Sequence, residues 1–250
     1  MPSDSLQMPS DSLQTEATAR ADEAATPAES SIGDKALRHL RADIISARLP
    51  PGAKLTVKTL TQRYGIGISP LREALAQLVG SGLVCREAQR GFRVAMVSRE
   101  DLRGIGEARK LVELAAFEIS LECMDEAWVR RVSRAHARFC EASDGIGDDR
   151  PISESWEQRH RDFHFALLSN CSSPALLQLC ADLHDRFDRY RRLALPKRSF
   201  MGAIDQDHEE LLEAALAGRS REAAALLGRH IDDTVTLIDE NFSASMIPRQ

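Results

Sequence analysis

Apolar and polar residues along this chain mark out an apolar-poor beginning and then a series of helix-sized stripes. Up to about residue 31 the sequence is mostly Ser, Thr, Ala, Glu and Asp, and the heptad MPSDSLQ stands there twice in succession. Such a segment buries too little surface to offset the entropy of ordering it, so residues 1–31 are expected to be a disordered tail. From Asp34 the pattern changes. In DKALRHLRADIISARL, Leu37, Leu40, Ile44 and Ile45 fall on one helical stripe, which PPG (50–52) stops. VKTLTQRYG (57–65) predicts a short second helix with Leu60 and Tyr64 inward. GIGIS (65–69) predicts a tight turn. PLREALAQLVGSG predicts a third helix, with Pro70 in the first turn where its missing N–H costs nothing. Leu71, Ala74, Leu75, Leu78 and Val79 face inward, and Gly80 and Gly82 end the helix. LVCRE, AQRG and FRVAMV then predict a two-stranded hairpin with a basic tip.

Beyond Ser98 every apolar stripe has three-four spacing. It predicts helices over 101–122, 126–143, 153–170, 173–194, 203–217 and 219–242, broken at DGIGDDRP, NCSSP and LPKRS. With 250 residues and 43% hydrophobic content the chain can build one large or two modest domains with real cores. The five cysteines form no close-spaced pair, which suggests a reducing cytosol and thiols packed as small hydrophobes. No stretch approaches the roughly 18–20 apolar residues of a membrane span. The expected setting is therefore cytoplasmic, with no membrane partner.

Charge divides the chain more sharply than composition does. Residues 1–32 carry one Arg against six acidic groups, residues 33–98 eleven Lys and Arg against four, and the remainder 21 against 28. A net charge of −5 thus hides one basic module between two acidic parts. Three short helices, the last two joined by a turn, followed by a basic hairpin, describe a winged helix-turn-helix. The competing reading is a small helical domain whose basic face is merely solvated. The expected architecture is mainly α. A winged helix-turn-helix of three helices plus a β-hairpin wing (32–98) precedes an all-α helical-bundle ligand-binding domain (99–242) and a C-terminal tail (243–250).

The stretch RYGIGISPLREALAQLVGSGLVCREAQRGFRVAMVS resembles the DNA-binding domain of GntR-type bacterial transcription regulators. Tyr64, Gly65, Pro70, Leu71, Arg72, Glu73, Ala74, Leu75, Leu78, Gly82, Leu83, Val84, Arg90, Gly91 and Val94 carry the resemblance. It implies double-stranded operator DNA as partner, with Lys58, Arg72, Arg90 and Gly91 as contacts. An arginine fork can pair with guanine O6 and N7. Lys54, Arg63 and Arg93 are expected to bind phosphate. One departure is Gly67-Ile68-Ser69, where the family often has Ser-Arg-Thr with a base-reading arginine. The operator should therefore differ from the family's commonest sites. Two winged helices reading a two-fold site imply a homodimer.

The second half raises a question of its own. HRDFH places His160 and His164 four apart, on one helical face. This half resembles the effector domain of the FadR-like (FCD) branch, through Arg109 and Glu113, Phe163-His164 with Asn170 soon after, and DHEELLEAALAGRSREAAALLGRH. Many members of that branch hold a divalent metal with one Asp and three His. His164, His208 and His230 match the histidines, and His160 stands at the Asp position. The resemblance implies a metal on four imidazoles, favouring Zn or Ni over Mn. The alternative is a metal-free polar pocket of core histidines. His136 and His184 are read as surface residues.

Arg109, Asn170, Arg189 and Tyr190 are the expected ligand-binding groups, and the inferred effector is a small organic acid. Within the branch, RHxxFH with SPLREAL looks most like regulators of C5-dicarboxylate breakdown (glutarate or 2-hydroxyglutarate). The leading function is a ligand-responsive repressor of a carboxylic-acid catabolic operon. One rival is a metal-dependent helical-bundle hydrolase. Zinc peptidases need H-E-x-x-H, and here Arg161 stands where the general base would be, so an enzyme is not expected. The other rival is a DNA-binding protein whose helical domain only dimerises. Because the tail is acidic and lacks apolar anchors, removing residues 1–31 is expected to leave thermal stability and DNA affinity nearly unchanged. Unfolding, or an affinity change above tenfold, would contradict this.

Overall fold

The structure, a computed structural model, describes residues 31–87, 91–143, 150–197 and 202–243, apart from the side chains of 202–205. The expected tail up to residue 30, the wing residue Arg90 and residues 244–250 lie outside the described residues. The described residues from Ile32 onward form one compact unit.

The first helix α1 (Ile32–Ile45) buries Leu40, Ile44 and Ile45, three of the four predicted stripe positions, and Leu37 packs at the margin of the same core. Strand β1 (Lys54–Leu55) follows, then α2 (Val57–Tyr64), α3 (Ile68–Gly80), β2 (Val84–Glu87) and β3 (Gly91–Val94). Thr56 caps α2, its side chain accepting from the Thr59 N–H, and Gly65 ends that helix in the left-handed conformation at φ 66°. Two expectations are corrected here. The turn after α2 is shorter than GIGIS, because Ile68 and Ser69 already belong to α3 and Pro70 is its third residue. The predicted hairpin is present as β2 and β3, and β1 joins it as a third strand that was not expected, in the order β1-β3-β2, all antiparallel. Lys54 pairs with Arg93 and Leu55 with Phe92 on one edge, and Val84 pairs with Val94 on the other. Two residues give no periodicity, so β1 was invisible as a pattern.

The remaining helices are α4 (Arg99–Glu122), α5 (Glu126–Ser143), α6 (Glu154–Leu167), α7 (Pro174–Ala194), α8 (Gly202–Leu216) and α9 (Ser220–Asn241). Ser98, Ser153 and Ser173 cap α4, α6 and α7, each through its side-chain oxygen, and Pro174 opens α7. Helix α4 packs on α7 and α9, α5 on α6 and α8, and α8 on α9. Their common core holds Phe117, Trp128, Phe139, Trp156, Phe163 and Phe187. A separate core under the wing holds Leu40, Leu60, Leu71, Leu75 and Leu83. No helix among the described residues is long and apolar enough to cross a membrane.

Helix α1 also leans on α7. Arg41 grips the Asp185 carboxylate through both Nε and Nη2. Arg189 donates to the carbonyls of Ala95 and Met96 at 3.0 and 3.1 Å, and the Tyr190 hydroxyl donates to Asp101 at 2.7 Å and accepts from the Ser98 N–H at 2.9 Å. These contacts pin the segment between wing and α4 onto α7.

At Gly106, on α4, a Cβ would meet Val235 Cγ2 of α9 at 2.5 Å. Overpacking there costs roughly 1–3 kcal/mol, against roughly 1 kcal/mol of helix propensity gained. Gly106→Ala is expected to lower urea stability, and Gly106→Ala with Val235→Ala to be more stable than the sum of the single changes. Strict additivity would show that close approach is not what the glycine provides.

Candidate metal centre and nucleic-acid interface

The side chains of His160 and His164 lie one turn apart on α6, and α8 and α9 bring His208 and His230 to the same point. All four are buried, with 0–5% of their surface exposed. His164 Nε2 lies 3.2 Å from His160 Nε2 and 3.1 Å from His208 Nε2. One nitrogen from each of the four fits within a span of 4.8 Å. Burial, reinforced by the neighbouring imidazoles, holds His160 and His164 well below the ordinary histidine range. Their rings are therefore neutral and offer lone pairs, the form in which imidazole binds a metal. Stacking of His160 on Trp156 at 4.9 Å and edge contact of His208 with Phe139 at 5.1 Å fix the ring directions. His230 Nδ1 lies 3.6 Å from the Asp207 carboxylate, beyond hydrogen-bond reach. His160 Nδ1 makes no hydrogen bond. Four convergent imidazoles, two of them held neutral by burial, fit a divalent nitrogen-preferring metal such as Zn or Ni.

The structure overturns the surface reading of His136 and His184, whose exposures are 6% and 2%. Each lies on the buried stripe of its helix: Trp128, Val132, His136 and Phe139 on α5, and Cys180, His184, Phe187 and Arg191 on α7. That periodicity was the available signal. His184 sits 5.7 Å from the His164 ring and joins the histidine cluster to Arg109. Arg109 Nη2 lies 3.4 Å from His184 Nδ1, and a guanidinium can only donate, so Nδ1 accepts and Nε2 carries the proton. Nε2 is 3.5 Å from the Asp188 carboxylate. Burial opposes ionisation of Asp188, and His184 with Arg191 and Arg161 outweighs it, so the carboxyl stays below its usual range.

Of the residues expected around the ligand, Arg109 alone approaches the histidines. It is buried, forks onto Glu113 at 2.7 and 3.1 Å, and stacks over Phe187 at 4.3 Å. Asn170 instead joins the end of α6 to α4: its side chain donates to the Cys123 carbonyl at 2.7 Å and its backbone N–H to Ser120 at 3.1 Å. Arg189 and Tyr190 hold the wing-to-α4 segment described above rather than facing the cluster. Arginines that read as ligand groups in sequence are thus used to satisfy buried carbonyls and carboxylates.

At the other end of the unit, Lys58 on α2 and Arg72 on α3 are exposed, as is Gly91 at the start of β3 with φ 95°. Lys54, Arg72, Arg86 and Gly91 line one open concavity of about 570 Å³ between α3 and the wing. Arg90 lies outside the described residues. Two of the expected phosphate binders have structural duties. Arg63 pairs with Asp43 at 2.7 Å, and Arg93 braces the wing by donating to Glu87 at 2.7 Å and to the Gly52 carbonyl. Lys54 remains exposed.

Comparison with known proteins agrees with both halves. Residues 33–94 match the family of bacterial regulatory proteins, gntR family, and residues 105–233 match the FCD domain. The chain is 32% identical to the HTH-type transcriptional regulator BphR of Paraburkholderia xenovorans strain LB400, covering 87% of this chain and 90% of the relative. It is 33% identical to the HTH-type transcriptional repressor GlaR of Escherichia coli strain K12, covering 81% and 94%. The fold is similar to E. coli McbR/YncC (TM-score 0.73, 20% identity, 86% of this chain and 100% of that chain). It is likewise similar to a GntR transcriptional regulator from Rhodococcus sp. RHA1 (TM-score 0.70, 22% identity, 86% and 100%). These relatives are DNA-binding regulators, not enzymes.

Arg72→Ala is expected to weaken binding to the cognate operator by about 1–3 kcal/mol and to relax base discrimination at one position. A mobility-shift titration with wild-type affinity for the variant would remove α3 from the reading role.

Proposed function

This chain belongs to the gntR family of bacterial regulatory proteins and carries the FCD domain, and from that premise we propose that it is a metal-dependent, organic-acid-responsive repressor acting as a homodimer. The observation that carries the proposal is the convergence of four buried imidazoles on one point. Residues 32–98 serve as the DNA-binding module, and residues 99–242 hold the effector. His164, His208 and His230 hold the metal, with His160 as the fourth ligand. An all-imidazole set leaves the full charge of a divalent ion uncompensated, and that charge draws a carboxylate. Arg109 beside His184 supplies further positive potential, although Glu113 balances it. The effector class is a small organic acid, with glutarate and 2-hydroxyglutarate the first to test. GlaR, a relative named as a repressor, supports repression as the mode of action.

The route from site to DNA runs through α7. His184 faces Asp188, Arg161 lies 2.6 Å from Asp185 and 3.9 Å from Asp188, and Asp185 holds Arg41 of α1. Arg161 is the residue next to His160 on α6. A shift of α6 on effector binding therefore acts on the same carboxylate that anchors the DNA-binding module.

His208→Ala is expected to lose metal and the response to organic acid, while operator binding without effector survives. Arg41→Ala is expected to keep the metal and bind the acid yet release DNA less. Elemental analysis finding no metal in wild type, even after reconstitution with Zn or Ni, would sink the metal reading and leave a polar carboxylate pocket. Equal effector-driven release in Arg41→Ala would remove the α7 route.

A further inference from the structure

Outside the four-histidine centre, α5 and α8 bring a second set of metal-binding side chains together. His136 and Cys140 lie one turn apart on α5, with Sγ 3.7 Å from Nδ1 and 3.8 Å from Nε2 of the imidazole. Glu209 of α8 reaches them from the other side, its Oε2 3.7 Å from His136 Nε2. One atom from each of the three residues fits within 4.8 Å. Zinc with ligand bonds of about 2.0–2.3 Å needs donor atoms roughly 3–4 Å apart, so small side-chain rotations complete the set. A plain His–Glu ion pair explains two of the three residues. Helical i,i+4 spacing sets the Cys140 thiol beside the same imidazole, so that three donors of different kinds meet.

We propose that His136, Cys140 and Glu209 form a second divalent-metal site, of mixed nitrogen, sulfur and oxygen character, distinct from the four-histidine centre. Its chemistry differs in kind. The thiol gives its proton to solvent on binding, and the resulting thiolate selects Zn over the harder divalent ions. His136 is nearly buried, whereas the Glu209 side chain is 58% exposed, so the site opens to solvent on the carboxylate side. A fourth position is then left for water or an exogenous ligand. His136 and His208 both pack against Phe139 and Phe163, so the two centres share an aromatic wall. Glu209 follows His208 directly in the chain, and occupancy of either site bears on the position of α8.

Cobalt(II) loading of the full chain separates the two centres, because cobalt on thiolate gives a sulfur-to-metal charge-transfer absorption that cobalt on imidazole lacks. Cobalt-loaded wild type is expected to show this band. Cys140→Ser is expected to lose the band and one equivalent of bound cobalt while keeping the remainder on the four histidines. Glu209→Gln is expected to weaken the same equivalent at least tenfold. His230→Ala, which strips the first centre, is expected to leave the band in place, so failure of the principal metal reading would not be mistaken for failure here. No band in loaded wild type, or a band that persists in Cys140→Ser, would overturn the second site.

Discussion

Two carboxylates of α7, Asp185 and Asp188, are buried, and everything around them is arranged so that they can be. An isolated buried carboxylate is prohibitively costly, and removing one partner of a buried pair is far more damaging than the pair is stabilising. The compensation comes from three elements. Arg41 arrives from α1, Arg161 from α6, and Arg191 from α7 itself, where it also forks onto Glu157 of α6. This requirement dictates how α1 and α6 meet α7. The network contributes position more than stability, since apolar side chains of like volume would hold the same helices with less desolvation. Its charge pattern fixes one arrangement and resists the others.

The histidine centre sits one layer further in and depends on that arrangement. His160 and His164 project from the same helix that Arg161 ties to α7. His184 stands between Asp188 and the rings. Four imidazoles packed with one nitrogen of each within 4.8 Å of the others cannot all be charged, and His164 Nε2, close to both His160 Nε2 and His208 Nε2, cannot donate to both. A divalent cation is one group such a cluster could hold. The cluster itself contains no carboxylate among its four donors.

Much of this was legible in the sequence because it rested on period and spacing. Each of the six later helices lies within a few residues of its predicted bounds, and His164 of α6 lies beside His208 and His230 of α8 and α9. The misses share a physical cause. Arg189, Tyr190 and Asn170 were assigned by charge and hydrogen-bonding capacity, but sequence does not say which buried carbonyl or carboxylate will claim such a group first. His136 and His184 were set aside as lone histidines, although their apolar neighbours at three-four spacing placed them inward. Strand β1 was missed because its existence depends on β3 offering an edge, a non-local fact.

The same competition for arginine shapes the DNA-facing surface. Arg63 and Arg93 are committed to Asp43 and to the wing, so their charges favour DNA without being free to follow it. Among the described residues, Lys58 and Arg72 carry no ion pair, and these can reorganise on a duplex. Just ahead of Arg72, at the first turn of α3, Ile68 is 58% exposed. A large aliphatic side chain left open there gains nothing from packing within the fold, but it matches the methyl group that thymine presents in the major groove. Ile68 and Arg72, four residues apart, share one exposed face at the start of α3.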